Sequence, residues 1–388
     1  MAWRGESCPM QGWALRSNLI HGRCTKQTRP RQSIDWDAVY CWNFNLTDAL
    51  SFKEAHLNPL APRDLGLILS YHCLASCAHC VYNCGPDRQG WMNPEDVQEA
   101  LETTTHWSHP YQVHITGGEP FLNFPLLLTA VEMAVDLGIP VYLETNASWC
   151  VREELVVERF RALLHAGLDA VLISCSPFHS ETIPLQRTRL AVQKAVEIFG
   201  PQRVILYMQE WMQLLGQFDP SDVLPLEDFV SVYGEEQAGK MFWGGYGLMG
   251  GGRSGVRLGH LVPGTPVEAF AGANCHQELL YAPHSHFDLH GNFVPGFCGG
   301  ITVGSWRELP ELTERFSQGD YPPLTEILVE QGPFGLAQLA AEESFVPREE
   351  GYADKCHLCT VVRAWIVEQG VFPEFSAELQ PAVFYEGF

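Results

Sequence analysis

The chain has 388 residues, with 46 acidic against 24 basic side chains and a formal net charge of -22, which allows one large core or two ordinary domains and excludes a phosphate-tracking surface, since nucleic-acid binding needs clustered cations. No apolar run of about 18 residues could span a bilayer, and residues 1–60 lack a basic-then-apolar signal profile, so a cytoplasmic location without nucleic-acid or membrane partners is expected. Thirteen cysteines is a high and odd count that suits a disulfide framework poorly and points to metal or redox chemistry.

Residues 1–60 hold Trp3, Trp13, Trp36, Trp42 and several arginines without periodicity, and they read as an extension to which no chemistry can be assigned. From Leu65 short apolar runs alternate with amphipathic stretches, the pattern of an α/β chain with a parallel sheet. Strands are expected at 65–71, 111–116, 141–145, 170–175 and 203–209, and a sixth between 229 and 246. Asn93-Pro94-Glu95-Asp96 supplies a cap, a first-position proline and first-turn acids, so a helix should run to Trp107. Further helices are expected at 125–137, 152–166 and 185–199. About six strand–helix units fall short of the eight that close a full barrel. The glycine-rich stretch from Trp243 to Gly252 is too irregular for a packed element and marks a junction, beyond which the helical rhythm weakens and cysteine returns.

Cys73, Cys77 and Cys80 form C-x3-C-x2-C directly after the first expected strand. Three thiolates from one short loop can hold three irons of a cubane and leave the fourth iron open to a substrate or cofactor. Structural zinc competes only if His72, His79 or Cys84 supplies a fourth ligand. Packing alone is a poor explanation for three cysteines so close together.

This loop resembles that of the radical S-adenosylmethionine (SAM) superfamily, whose C-x3-C-x-aromatic-C signature follows the first strand of a partial barrel; here His79 stands before the last cysteine. The resemblance implies a partial (β/α)6 barrel over residues 61–255, with a 4Fe-4S cluster on Cys73, Cys77 and Cys80 and His79 beside the cofactor. It further implies that SAM chelates the open iron and is reductively cleaved to methionine and a 5'-deoxyadenosyl radical, which abstracts a substrate hydrogen. That chemistry belongs to the cofactor, which the protein positions. Cys84 extends the loop to C-x3-C-x2-C-x3-C; a fourth thiolate would shut SAM out, so Cys84 reads as a nearby loop thiol.

Thr116-Gly117-Gly118-Glu119-Pro120 follows the second strand, where the superfamily commonly has a GGEP-like motif. Glycines let backbone approach a ligand and an acid can pair with an ammonium group; by resemblance Gly117, Gly118 and Glu119 meet the aminobutyryl end of SAM. Barrel sites are built from the C-terminal ends of strands, which nominates Asn146, Ser174 and Ser176 for polar contacts to SAM, although each could equally cap its own turn. His179, in the loop after the fourth strand, is a candidate proton acceptor or substrate contact, and Glu210, after the fifth, is a weaker one.

Cys275, Cys298, Cys356 and Cys359 supply four more thiolates, enough for a complete cluster shell or an all-thiolate zinc site. Gly252-Arg253-Ser254, the Asp288-Leu289-His290-Gly291 turn leading to Cys298, and Lys355-Cys356-His357-Leu358-Cys359 resemble elements of the SPASM and twitch domains of this superfamily. No cysteine follows Cys359, which fits the shorter twitch type: a small α+β domain over 256–388 with a second, fully ligated 4Fe-4S cluster. His276, His284, His286 and His290 crowd this set and read as solvent, substrate or ligand-orienting groups. Cys8, Cys24, Cys41, Cys150 and Cys175 read as small buried hydrophobes.

The reading that follows is an enzyme that abstracts hydrogen from a polar small molecule or peptide side chain, the second cluster taking up the product electron and a flavodoxin or ferredoxin acting as reductant. Maturation of a ribosomal peptide is the alternative; residues 1–60 are short for the leader-binding module many such enzymes carry. A non-catalytic iron-sulfur carrier or scaffold is the third reading, and it has no use for an open iron or a GGEP-like turn.

Overall fold

In a computed structural model that describes residues 58–387, β-branched and aliphatic runs form five parallel strands: β1 (Asp64–Ile68), β2 (Gln112–Thr116), β3 (Val141–Thr145), β4 (Ala170–Ser174) and β5 (Val204–Tyr207). One face of each strand is aliphatic, and Leu65, Leu67, Val113, Ile115, Leu143, Val171 and Ile173 have no exposed surface. That face packs under the crossover helices α1 (Pro94–Thr104), α2 (Phe124–Asp136), α3 (Glu153–Ala166), α4 (Pro177–Ser180) and α5 (Leu185–Phe199). The alternate positions carry Asp64, His114, Thr116, Tyr142, Glu144 and Ser174, joined across strands by Tyr142–Asp64 and Thr116–Glu144 hydrogen bonds of 2.8 and 2.9 Å. A parallel sheet with one aliphatic and one polar face is the wall of an open barrel, with its polar side turned to the lumen. The expected residues 1–57, with Cys8, Cys24 and Cys41, lie outside the described residues.

The expected sixth strand between 229 and 246 is not formed. After α6 (Gln209–Leu215), that segment folds as α7 (Leu226–Tyr233), α8 (Glu235–Gly239) and a π-helical stretch Lys240–Tyr246. Phe229 and Tyr233, one helical turn apart, stack at 4.7 Å, and Phe229 and Phe242 are fully buried; a run with Gly244, Gly245 and Gly247 would have made a weak strand. The start of the glycine-rich stretch is thus π-helical rather than irregular, although Gly244 and Gly245 are exposed.

The sixth strand position is filled instead from beyond that stretch. After α9 (Arg253–Leu258) and α10 (His276–Leu280), strand β6 (His284–Asp288) pairs parallel to β1, and β7 (Phe293–Pro295) returns antiparallel, giving the order β5-β4-β3-β2-β1-β6-β7. Asp288, fully buried, fixes this hairpin by accepting from the His290 and Asn292 amides at 2.9 Å each and from the Tyr71 hydroxyl at 2.7 Å. Helices α11 (Leu309–Ser317), α12 (Pro323–Glu330), α13 (Gly332–Glu342) and α14 (Lys355–Gln369) complete the C-terminal part. The α/β fold class and partial parallel barrel therefore hold. No helix among the described residues is long and apolar enough to cross a membrane.

β1 carries the sheet because both halves pair to it. Leu67→Ala, at a position with no exposed surface, should cost about 2–5 kcal/mol and lower the urea midpoint without changing the slope of the transition; a cost below about 1 kcal/mol would contradict this central placement.

Candidate active site

The cysteine loop begins where β1 ends, and its shape is set by a cation. Arg253 is 4% exposed; its Nε donates to the Cys77 carbonyl at 3.0 Å, Nη2 to the Cys84 carbonyl at 2.6 Å and Nη1 to Asn83 Oδ1 at 2.5 Å. Its backbone amide donates to the Cys80 carbonyl at 3.1 Å. Gly252 (φ 54°) precedes it because a Cβ there would lie 2.4 Å from the Val81 carbonyl oxygen and 2.6 Å from that of Cys80. The loop thus wraps a buried guanidinium, a role the run of glycines before Arg253 hinted at but sequence reasoning did not assign.

Burial pushes the Cys73 thiol up to about 12, and burial together with the neighbouring Cys73 and Cys80 sulfurs pushes Cys77 up as well. The hydrogen bond from Cys84 pulls Cys80 down, aided by the charge of Arg253. The three sulfurs are thus close enough to repel as thiolates, and only a cationic ligand makes all three thiolates stable together. The Cys84 thiol stands directly beside them.

The turn after β2 is built against the same loop. Gly118 N donates to the Ser70 carbonyl at 2.7 Å and Glu119 N to that of His72 at 3.0 Å. A Cβ on Gly118 would sit 1.8 Å from His72 O and one on Gly117 (φ 132°) 2.4 Å from Ser70 O. Both glycines are therefore required by the chain's own close approach. The Glu119 carboxylate is fully buried and accepts from Thr145 Oγ1 (2.9 and 3.0 Å), Asn146 N (2.8 Å) and Phe121 N (3.2 Å), locking the β2 turn to the end of β3. Asn146 in turn points its side-chain amide at Cys73 Sγ, 3.2 Å away. It is placed to stabilise a thiolate.

After β4, Ser176 caps the short helix α4, and its hydroxyl lies 2.7 Å from His179 Nδ1. His79 stacks on Phe178 at 4.7 Å and meets His179 edge-on at 4.9 Å and Tyr246 at 5.8 Å. Its Nδ1 is buried with no hydrogen-bond partner among the described residues. Burial holds the His179 imidazole down at about 4, so it is neutral near pH 7 and a weak base there, better suited to hydrogen bonding than to holding a proton. Ser174 ends β4 on the lumen face, partly exposed. Glu210 is exposed in the first turn of α6, and no hydrogen bond among the described residues ties it to this group.

The second cysteine set also converges. Cys275 precedes α10, Cys298 follows β7, and Cys356 and Cys359 lie at the start of α14, all four lining one cavity of about 350 Å³. Burial, with the neighbouring sulfurs adding to it, raises the thiols of Cys275, Cys298 and Cys356. Arg363, 2% exposed, lines the same cavity with its Nε unpartnered among the described residues. The N-terminus of α14 adds its dipole, which favours negative charge. The two sets are neighbours: a Cβ on Gly299, next to Cys298, would meet the carbonyl of Val81, next to Cys80, at 1.9 Å.

Residues 67–198, which include the cysteine loop and the GGEP turn, match the model of the Radical SAM superfamily. Domains of that superfamily belong to enzymes that take a 4Fe-4S cluster and SAM. The chain is 25% identical over 118 residues to YydG of Bacillus subtilis (strain 168), a protein named for peptide biosynthesis; the match covers 30% of this chain and 37% of that relative. Among solved structures it is similar to anSMEcpe with bound AdoMet (13% identity, TM-score 0.40, 68% of this chain and 84% of that one). It is also similar to BtrN in an open conformation (12%, 0.37, 70% and 87%) and to Streptococcus suis SuiB bound to precursor peptide SuiA (12%, 0.31, 77% and 70%).

Burial raises the Glu119 carboxyl from its ordinary 4.5 to about 7, against the hydrogen bonds it accepts. The folded chain then binds this proton more tightly than the unfolded chain, so stability present below the ordinary pKa is lost as pH rises toward 7. Glu119→Gln should remove up to about 3 kcal/mol of that dependence, read as a flatter plot of urea-unfolding free energy against pH. An unchanged slope would contradict the assignment.

Proposed function

We propose that the chain is a radical SAM enzyme with two iron-sulfur clusters that abstracts hydrogen from a peptide side chain. The observation that carries this reading is the pair of adjacent thiol sets, one of three on a loop held by Arg253 and one of four around a cavity. The residues fit both groups. At the first site, three buried thiols need a cation, Asn146 aims an N–H at Cys73, and His79 has an unpartnered buried nitrogen. Cys73, Cys77 and Cys80 would hold the first cluster and leave an iron for SAM, with Cys84 as a hydrogen-bond donor to Cys80. At the second, four thiols close a shell. An all-thiolate zinc is the competing occupant; the likeness of Gly252-Arg253-Ser254 and Lys355-Cys356-His357-Leu358-Cys359 to elements of the cluster-bearing domains of this superfamily favours the cluster.

When bound, the cofactors supply a reductive cleavage of SAM that makes a hydrogen-abstracting radical, and a second cluster able to take up one electron. The chain's own residues do the positioning. Arg253 fixes the loop, and Phe178 and Tyr246 pack His79 in place. His179, neutral and anchored to Ser176, is the candidate to hydrogen-bond the substrate. The polar lumen face, with Glu144, Ser174 and the half-exposed Tyr207, suits a polar substrate. A peptide is favoured over a free small molecule by the name of the Bacillus relative. A flavodoxin or ferredoxin would serve as reductant.

Anaerobic reconstitution should load about eight irons. Replacing Cys73, Cys77 and Cys80 by Ala should leave about four and abolish SAM cleavage, whereas Cys84→Ala should keep both. Replacing Cys356 and Cys359 by Ala should spare SAM cleavage and stop net product, provided circular dichroism and the first iron site are intact. SAM cleavage by the triple variant, or its loss in Cys84→Ala, would overturn the first site; normal product from the Cys356/Cys359 variant would overturn the electron-accepting role.

A further inference from the structure

On the lumen side of β2 and β6, before the strand ends that lead to the cysteine loop, three histidines meet. His114 projects from β2 and His284 and His286 from β6, on either side of β1; His114 is 1% and His286 2% exposed, and one nitrogen of each of the three lies within 4.8 Å of the others. Gly66 of β1 makes the room between them. A Cβ there would sit 2.2 Å from His286 Cδ2 and 2.8 Å from His114 Cε1 and Nε2, so the Nε2 edges of both rings border the same space.

Each ring is oriented by an acceptor on its other nitrogen. His114 Nδ1 lies 3.0 Å from Asp64 Oδ1, His284 Nδ1 3.2 Å from Asp64 Oδ2, and His286 Nδ1 3.2 Å from the Gly296 carbonyl. Tyr142 also donates to Asp64 Oδ2 at 2.8 Å. The Tyr82 hydroxyl is 3.0 Å from His286 Nδ1, 3.3 Å from its Nε2 and 3.3 Å from the Gly296 carbonyl. Nδ1–H tautomers satisfy every acceptor and leave three Nε2 lone pairs. Carboxylate and carbonyl acceptors behind imidazoles are the usual support of a histidine metal site.

His284 Nε2 and His286 Nε2 face each other at 3.1 Å, where the His286 ring can donate Nε2–H to His284 if the Tyr82 hydroxyl donates to His286 Nδ1 at 3.0 Å. One feature of the cluster remains unexplained by hydrogen bonding within the chain. His114 Nε2 is buried with no partner among the described residues. A hydrogen bond between the facing rings leaves His114 Nε2 unpaired; a metal takes all three nitrogens.

We propose that His114, His284 and His286 bind one divalent transition-metal ion of the zinc class through their Nε2 atoms, with Asp64 orienting two of them. Two nitrogens on one tetrahedral zinc are about 3.3 Å apart, close to the His284–His286 distance of 3.1 Å. His114 stacks on His284 at 17° and a 4.8 Å centroid distance, so it completes the site by turning its ring while Nδ1 stays on Asp64. Imidazole nitrogens suit zinc, copper, iron and nickel, and the Asp64 carboxylate favours any cation here. The site uses none of the cluster cysteines.

The test is equilibrium dialysis of the anaerobically reconstituted full-length chain against buffered Zn²⁺, with zinc and iron counted per chain. Wild type should take up about one zinc with its iron unchanged. His114→Gln and His286→Gln should each lose it, and Asp64→Asn should bind about 10–100-fold more weakly, each variant checked by circular dichroism. Zinc should also raise the wild-type Tm, and not that of the folded histidine variants. No zinc uptake by wild type would overturn the site and leave a hydrogen-bonded histidine cluster; uptake that displaces iron, or that persists equally in the folded histidine variants, would overturn it by placing the zinc on cysteine.

Discussion

The buried guanidinium of Arg253 is the contact on which both cysteine sets depend. It replaces water for the carbonyls of Cys77 and Cys84 and for the side chain of Asn83, and so defines a loop that has no regular structure of its own. Removing it would leave buried carbonyls unpaired, a cost of about 1–3 kcal/mol each. The same segment reaches the other set, since Gly250 N donates to Asp354 Oδ2 at 2.9 Å and Asp354 Oδ1 caps α14 through His357 N at 2.7 Å. Gly250 allows this contact because a Cβ there would meet Asp354 Oδ1 at 2.2 Å. Four consecutive residues thus couple the geometry of the first loop to that of Cys356 and Cys359.

Charge follows the same logic. The chain is strongly acidic overall, yet the cations near the sulfurs, Arg253, Arg363 and Lys355, are each held by specific acceptors. Lys355 Nζ donates to Glu278 Oε1 at 2.6 Å and to the Asn274 carbonyl at 2.7 Å, beside Cys275 and Cys356. Fixed positive charge near buried thiolates offsets part of their desolvation cost before any metal arrives.

Much of this was legible from the sequence. The five parallel strands could be located because alternating aliphatic and polar residues at Leu65, Leu67, Val113 and Ile115 leave little choice of face. The cysteine loop and GGEP turn stood out by spacing. What was not legible depends on long-range contact: Asp64 pairs with His284, and Gly66 with His286, more than half the chain away, so the strand that completes the sheet was sought in 229–246. The apolar residues there proved to serve helical stacking of Phe229, Tyr233 and Phe242. Likewise Gly117 and Gly118 are recognisable as a motif, but that they abut Ser70 and His72 is visible only in three dimensions.

The central claim is that two clusters of different character sit side by side, one with an iron left open and one fully ligated. Mössbauer spectroscopy of the chain reconstituted with ⁵⁷Fe, recorded with and without SAM, tests this most directly. The account predicts two cubane clusters of equal area, with SAM shifting the signal of about one iron in eight and leaving the rest unchanged. A spectrum from a single cluster, or one that SAM does not alter, would contradict it.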